Sequence, residues 1–182
     1  MNRKYEFTGE EKLFYGRTLK RIKAKISFGN VVQGEVGGWI EKEENLSEYD
    51  DAWVYGNAEV YGNAEVYGNA EVYGNAEVYG NAEVYGNAEV YGNAKVCGDA
   101  EVCGDAWVIK TRHTISFTKV GSRNDTLTAF RTKTGFSIKI GCFLGSLELF
   151  LEKVQETHGD NQFAKEYRLI AEVIKARFEV EE

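Results

Sequence analysis

The sequence predicts a mainly β protein: a left-handed parallel β-helix carrying a small α+β module at its C-terminal end. Three observations predict it. Residues 53–108 repeat the hexapeptide V-Y-G-N-A-E almost unchanged, with valine at 54, 60, 66, 72, 78, 84, 90, 96, 102 and 108. Each unit also carries Gly followed by Asn or Asp, a corner signal for open or left-handed backbone. Beyond residue 109 the period stops, and alternating apolar stretches are followed by two helical patterns.

Six residues leave room for a short strand and a corner, and three such units per turn close a triangular prism. In E-V-Y, strand alternation turns Val inward and throws Glu and Tyr outward, while Ala fits the crowded inside of the corner. Residues eighteen apart then stack at one strand spacing, roughly 4.8 Å. Tyr55, Tyr73 and Tyr91 should form one outer ladder; Tyr61, Tyr79 and Cys97 a second; Tyr67, Tyr85 and Cys103 a third. Glutamates stack as well, Glu59 with Glu77, and Glu65 with Glu83 and Glu101. Such like-charge rows lie within a Debye length and are expected to raise some of their pKa values, with Lys95 interrupting one row.

The pairing of an aliphatic residue with a small one four positions later, Val54 with Ala58 and Val60 with Ala64, resembles the hexapeptide-repeat family over about a third of the chain. The resemblance implies the left-handed fold and side-by-side packing of three prisms. Many members are acyltransferases that use an interface histidine and loops interrupting the coils. Residues 54–108 contain neither, so acyl transfer is not the expected activity.

In chain order, residues 4–8 and 13–27 read as strands of a cap spanning 1–35, although Leu19, Ile22 and Ile26 keep no strict period and a short helix is an alternative. Lys20, Arg21, Lys23 and Lys25 form either a nucleic-acid patch or the solvated face of that cap. Trp39-Ile40 followed by Leu46 repeats the inward spacing of six, and an eight-residue step then leads to Val54. Coiling is therefore expected to begin near Val36, giving a β-helix over 36–109 and a C-terminal module over 110–182. The stretch Gly-Glu-Val-Gly-Gly-Trp-Ile-Glu at 34–41, with Asn45-Leu46-Ser47 and the repeats behind it, resembles a widespread group of phage and prophage proteins. So do Val120-Gly121-Ser122-Arg123-Asn124-Asp125-Thr126-Leu127-Thr128 and Gly141-Cys142-Phe143-Leu144-Gly145 in the module. That resemblance implies a mobile-element origin.

The module reads as βββαα. Strands at 114–120, 126–132 and 136–141 place Ile115, Phe117, Phe136, Ile138 and Ile140 on a buried face, with Thr114, Ser116, Thr118, Ser137 and Lys139 on the other. Ser146 caps a helix to about Thr157, ended by Gly159. Asp160 caps a second helix, whose stripe is Phe163, Tyr167, Ile170, Ile174 and Phe178.

Charge is segregated behind the formal net of −7. Residues 53–109 carry nine acids against Lys95, whereas 110–145 carry seven Lys and Arg against Asp125 alone. Arg residues interleaved with hydroxyls, and a Gly121-Ser122 turn with bare N–H groups, suit phosphate. The candidate ligand-binding residues are Arg112, Lys119, Ser122, Arg123, Asn124, Thr128, Arg131 and Lys139. The competing reading is a basic sheet face docked on an acidic prism.

Catalysis has little support. His113 and His158 are the two histidines, with no base beside Cys142 and no metal-ligand spacing, so neither cofactor nor metal is expected. Cys97 and Cys103 lie on different prism faces and should stay unpaired, as expected in a reducing cytoplasm. No stretch has membrane length, and residues 1–6 lack the apolar core of a signal peptide.

Together these features predict a non-enzymatic, cytoplasmic, phage-type homo-oligomer, favoured as a trimer, that captures a small phosphate-bearing ligand such as a nucleotide defence signal. The alternatives are a protein-interaction scaffold with the β-helix as rigid spacer, or an acidic nucleic-acid mimic. Direct nucleic-acid binding is not expected.

Overall fold

The computed structural model of the protein describes residues 2–179. Its body is a parallel β-solenoid of about four turns, with an antiparallel extension at one end and an α+β module at the other. Ten two-residue strands, β4 to β13, build the regular part: Trp53–Val54, Glu59–Val60, Glu65–Val66, Glu71–Val72, Glu77–Val78, Glu83–Val84, Glu89–Val90, Lys95–Val96, Glu101–Val102 and Trp107–Val108. They form three sheets in which Glu71 pairs with Glu89, Glu77 with Lys95 and Glu83 with Glu101. Every pairing in this part joins residues eighteen apart, as three units per coil require.

The inward positions are filled without exception. The ten repeat valines are 0 % exposed, and so is nearly every repeat alanine. Backbone amides are satisfied by the next coil, for example Glu59 N to Ala76 O at 2.9 Å and Tyr61 N to Val78 O at 3.0 Å. A corner cannot hold another residue type cheaply. At Gly80, φ is +79°, and a Cβ would sit 2.9 Å from the Gly98 nitrogen of the following coil.

Outside the prism the ladders form. Tyr61 stacks on Tyr79 at 5.1 Å, Tyr67 on Tyr85 at 4.8 Å and Tyr73 on Tyr91 at 4.6 Å, while Tyr55 meets Tyr73 edge-on at 6.4 Å. The phenols then reach across coils to glutamates, Tyr67 donating to Glu83 at 2.6 Å and Tyr73 to Glu89 at 2.9 Å. Burial beside these carboxylates pushes the ionisation of Tyr55, Tyr61, Tyr67 and Tyr73 well above the ordinary phenol range. The glutamate rows are interrupted by cations as well as phenols: Lys12 pairs with Glu59, and Lys95 with Glu77 at 2.8 Å. Cys97 and Cys103 are free thiols, the latter buried.

Coiling begins before the perfect repeat. Strand β3 (Val36–Ile40) pairs in parallel with β5 through Trp39 to Glu59 and Ile40 to Val60, and Leu46 bridges to Val66. These partners lie twenty residues apart instead of eighteen, because the longer step from Leu46 to Val54 inserts two residues. Ahead of β3, the chain forms a hairpin of β1 (Tyr5–Phe14) and β2 (Arg17–Ala24). The expected single strand over 13–27 is therefore broken at Tyr15-Gly16, both at positive φ. Leu19 and Ile22 are both fully buried although three apart, since the register slips between Arg21 and Lys23. Three of the four basic residues of the expected patch are engaged locally: Lys20 lies over Phe7, Arg21 over Trp39, and Lys25 donates to Asn2 O.

The start of the solenoid is closed by Trp53 and Tyr5, whose hydroxyl donates to the carbonyls of Glu43 and Leu46. Lys4 lies beneath Phe28, with Nζ donating to Ser47 O at 2.9 Å and Ala52 O at 2.6 Å. Burial lowers its pKa to about 8 despite Asp50 and Asp51 nearby.

The C-terminal module has four strands where three were expected: β14 (Thr114–Val120), β15 (Asp125–Thr132), β16 (Gly135–Ile140) and the short β17 (Phe143–Gly145). Helices α1 (Leu147–His158) and α2 (Gln162–Phe178) cover one face. Ser146 caps α1 as expected, by accepting from Leu149 N. The cap of α2 is Asn161, which accepts from Ala164 N; Asp160 instead pairs with Arg168. Phe163, expected in the buried stripe, is 40 % exposed, and Ala164 and Ala171 are buried on that helix. The helix side of the sheet is formed by Leu127, Ala129 and Ile138, flanked by the partly buried Ile115, Phe117, Phe136 and Ile140.

The other face of the sheet is not a free polar surface. Phe130 belongs to the solenoid's own core, and Ala106 bridges to Thr132. Thr128 is fully buried and its Oγ1 accepts from Glu101 N at 3.1 Å. Lys139 pairs with Glu101 at 2.8 Å, and at the rim Lys133 pairs with Glu89 at 2.7 Å. β15 thus closes the last coil as a lid, one face on the valine column and the other on the helices.

A basic cleft at the solenoid and module junction

The eight candidate residues separate into three places. Thr128 and Lys139 are committed to the docking face just described, Lys139 also donating to Gly141 O. Lys119, Ser122, Arg123 and Asn124 lie exposed around the β14–β15 turn, where Lys119 and Asn124 have positive φ. That turn does not offer the expected bare N–H at Gly121, which donates to Glu166 at 2.9 Å. Gly is required there for another reason: a Cβ would lie 1.7 Å from the Tyr167 hydroxyl. Arg112 and Arg131 are at the opposite end of the module and come together.

They meet in a cleft of about 490 Å³ lined by Trp107, Arg112, Arg131, Lys133, Arg177 and Phe178, with the 132–135 turn along one side. Arg112 and Arg131 are placed by backbone carbonyls at the C-terminal end of α2, and Arg177 by carbonyls of residues 112 and 114. Arg131 stacks over the Phe178 ring at 5.2 Å and donates to Phe178 O at 2.5 Å. Arg112 donates to Arg177 O at 3.0 Å; Arg177 returns a bond to Arg112 O at 3.0 Å and another to Thr114 O at 2.9 Å. Phe178 is held in turn by stacking on Phe136 at 4.9 Å. His113 Nδ1 accepts from Ile109 N at the cleft's edge.

The electrostatics of the cleft are unbalanced. Lys133 has Glu89, and that contact holds the Glu89 carboxyl below its usual range. Among the described residues, no carboxylate lies within ion-pair distance of Arg112, Arg131 or Arg177. Burial, aided by the neighbouring Arg112, lowers the Arg177 pKa. The negative end of the α2 dipole answers only about half of one charge. Arg177 was missed by sequence reasoning because it sits on a helix whose stripe reads as core. Its partner Arg112 lies 65 residues earlier, and no local pattern connects them.

Comparison with known proteins finds no family model that matches the chain and no curated protein that matches it. The described residues contain no cluster of His, Cys, Asp and Glu able to hold a metal ion, and no helix long and apolar enough to cross a membrane.

Proposed function

We propose that the protein is a non-enzymatic scaffold, a left-handed hexapeptide-type β-helix acting as a rigid spacer that fixes the orientation of two differently built ends. The observation that carries this reading is the docking of the module. Phe130 is inserted into the solenoid core while Lys139 and Lys133 neutralise Glu101 and Glu89. A sheet seated this way transmits the rotation of the last coil to α1 and α2. Interchangeable coils set distance and angle without forming a site of their own. A phage-type, cytoplasmic homotrimer is the assembly consistent with the resemblance of its repeats.

Deleting residues 61–78 removes one full coil and keeps every face in register. Removing six residues rotates the module by about a third of a turn relative to the hairpin end. The eighteen-residue deletion should therefore retain cooperative melting and oligomeric state, and the six-residue deletion should lose assembly. Equal damage from both would remove the spacer reading.

A second reading, capture of a small phosphate-bearing ligand, is favoured by one observation, the arginine cleft whose guanidiniums have no carboxylate partner among the described residues. Its site is not the one read from the sequence, since only Arg112 and Arg131 of the eight candidates reach it.

A further inference from the structure

We propose that the cleft beneath the end of α2 binds a diphosphate-bearing small molecule, with Arg112, Arg131 and Arg177 holding the phosphate oxygens. This deepens the capture reading and is independent of the spacer.

The arginines of the cleft keep unused donors. A guanidinium has five N–H groups in a planar fork. Arg112 and Arg131 each commit one amino nitrogen to a carbonyl oxygen, and Arg177 commits two nitrogens. The N–H groups that remain on all three are available to an acceptor in the cleft. These carbonyl bonds also fix the side chains, so a ligand would meet an ordered array with little entropy left to lose.

Charge then selects the ligand. Among the described residues no carboxylate pairs with the three guanidiniums, and the helix end supplies roughly half a negative charge. A ligand carrying about two to three negative charges restores neutrality, and bidentate arginine geometry suits phosphate. A single phosphate is small for three arginines and a cleft of about 490 Å³. A diphosphate offers more charge and more acceptor oxygens, and Trp107 in the cleft wall gives an apolar flank to whatever the diphosphate carries.

Calorimetry of the full chain with inorganic phosphate, pyrophosphate and ADP, at two salt concentrations, tests the site. Pyrophosphate and ADP should bind more tightly than phosphate, and binding should weaken as salt rises. Arg131→Gln should weaken it tenfold to a hundredfold. Because Arg131 also holds the end of α2, Arg112→Lys and Arg131→Lys serve as variants that keep the charge and lose the fork; each should weaken binding about tenfold with melting unchanged. Arg123→Ala, at the far turn, should bind as the parent does. Absence of heat with all three ligands overturns the proposal. So does parental affinity in both Lys variants, or loss of binding in Arg123→Ala. The coil-deletion experiment reads assembly instead, so failure of one proposal leaves the other standing.

Discussion

The repeat coils and the C-terminal module reach complete burial by opposite routes. In the coils, Val72 and Val90 are both fully buried between valines one coil away on either side. Each position is a copy, and no residue is individually informative. In the module, Phe130 and Ala129 are adjacent on β15, yet one belongs to the solenoid core and the other to the helix-packed core. Translational repetition gives a shape, while distinct residues back to back give a junction. Function is therefore to be sought where the two meet.

The sharpest way to break the comparison is a charge in the valine column. Val72→Asp buries a carboxylate with no partner among stacked valines and should cost upward of about 4 kcal/mol. Val90→Asp should cost a similar amount, because Val90 is equally buried between stacked valines. Thermal melting followed by circular dichroism checks both. Parental melting in either variant would show that the column tolerates charge and that the inward assignment of Val does not govern stability.

A smaller effect separates the capped start of the solenoid from its repeats. Lys4 has a folded-state pKa of about 8, below its ordinary value of 10.5. The unfolded chain therefore binds more protons between those values, and the Lys4 contribution to stability rises with pH through that window. Above pH 10 the tyrosine ladders act in the opposite direction. Their folded pKa values are raised, so their contribution is full below the ordinary phenol value and is lost as pH climbs through the folded ones. Denaturant titrations from pH 7.5 to 10 should show the rise in the parent and not in Lys4→Met. Parallel pH profiles in the two proteins would contradict it.

The repeat was legible because its physics is local: a strand of inward Val and a Gly corner are stated every six residues. The start of coiling was legible too, from Ile40 and Leu46. What failed depended on contacts that spacing does not encode. Leu19 and Ile22 are both buried three residues apart on either side of the slip at Arg21, which breaks strand alternation, and Tyr15-Gly16 carries no apolar pattern to mark a hairpin. β17 was missed because Phe143-Leu144-Gly145 is too short to alternate. The polar face of the module sheet was correctly separated from the apolar one. Its occupant, the last coil, is a non-local partner, and Phe130 is the residue on that face that announces it. Of the candidate site, Arg112 and Arg131 were named, but Arg177 came only with the fold.

Native-state hydrogen exchange of the parent and Phe130→Ala measures whether β15 binds the module rigidly to the solenoid. In the parent, amides of β15 should fall in the same slow class as those of β7 to β12, since Phe130 is fully buried in the solenoid core. Truncating that ring should cost about 3–5 kcal/mol at the junction. Exchange in residues 125–140 should then accelerate, while the repeats before Glu89 stay protected. If 125–140 already exchange fast in the parent, or if Phe130→Ala leaves them unchanged, the module is merely tethered and the rigid-spacer account is contradicted.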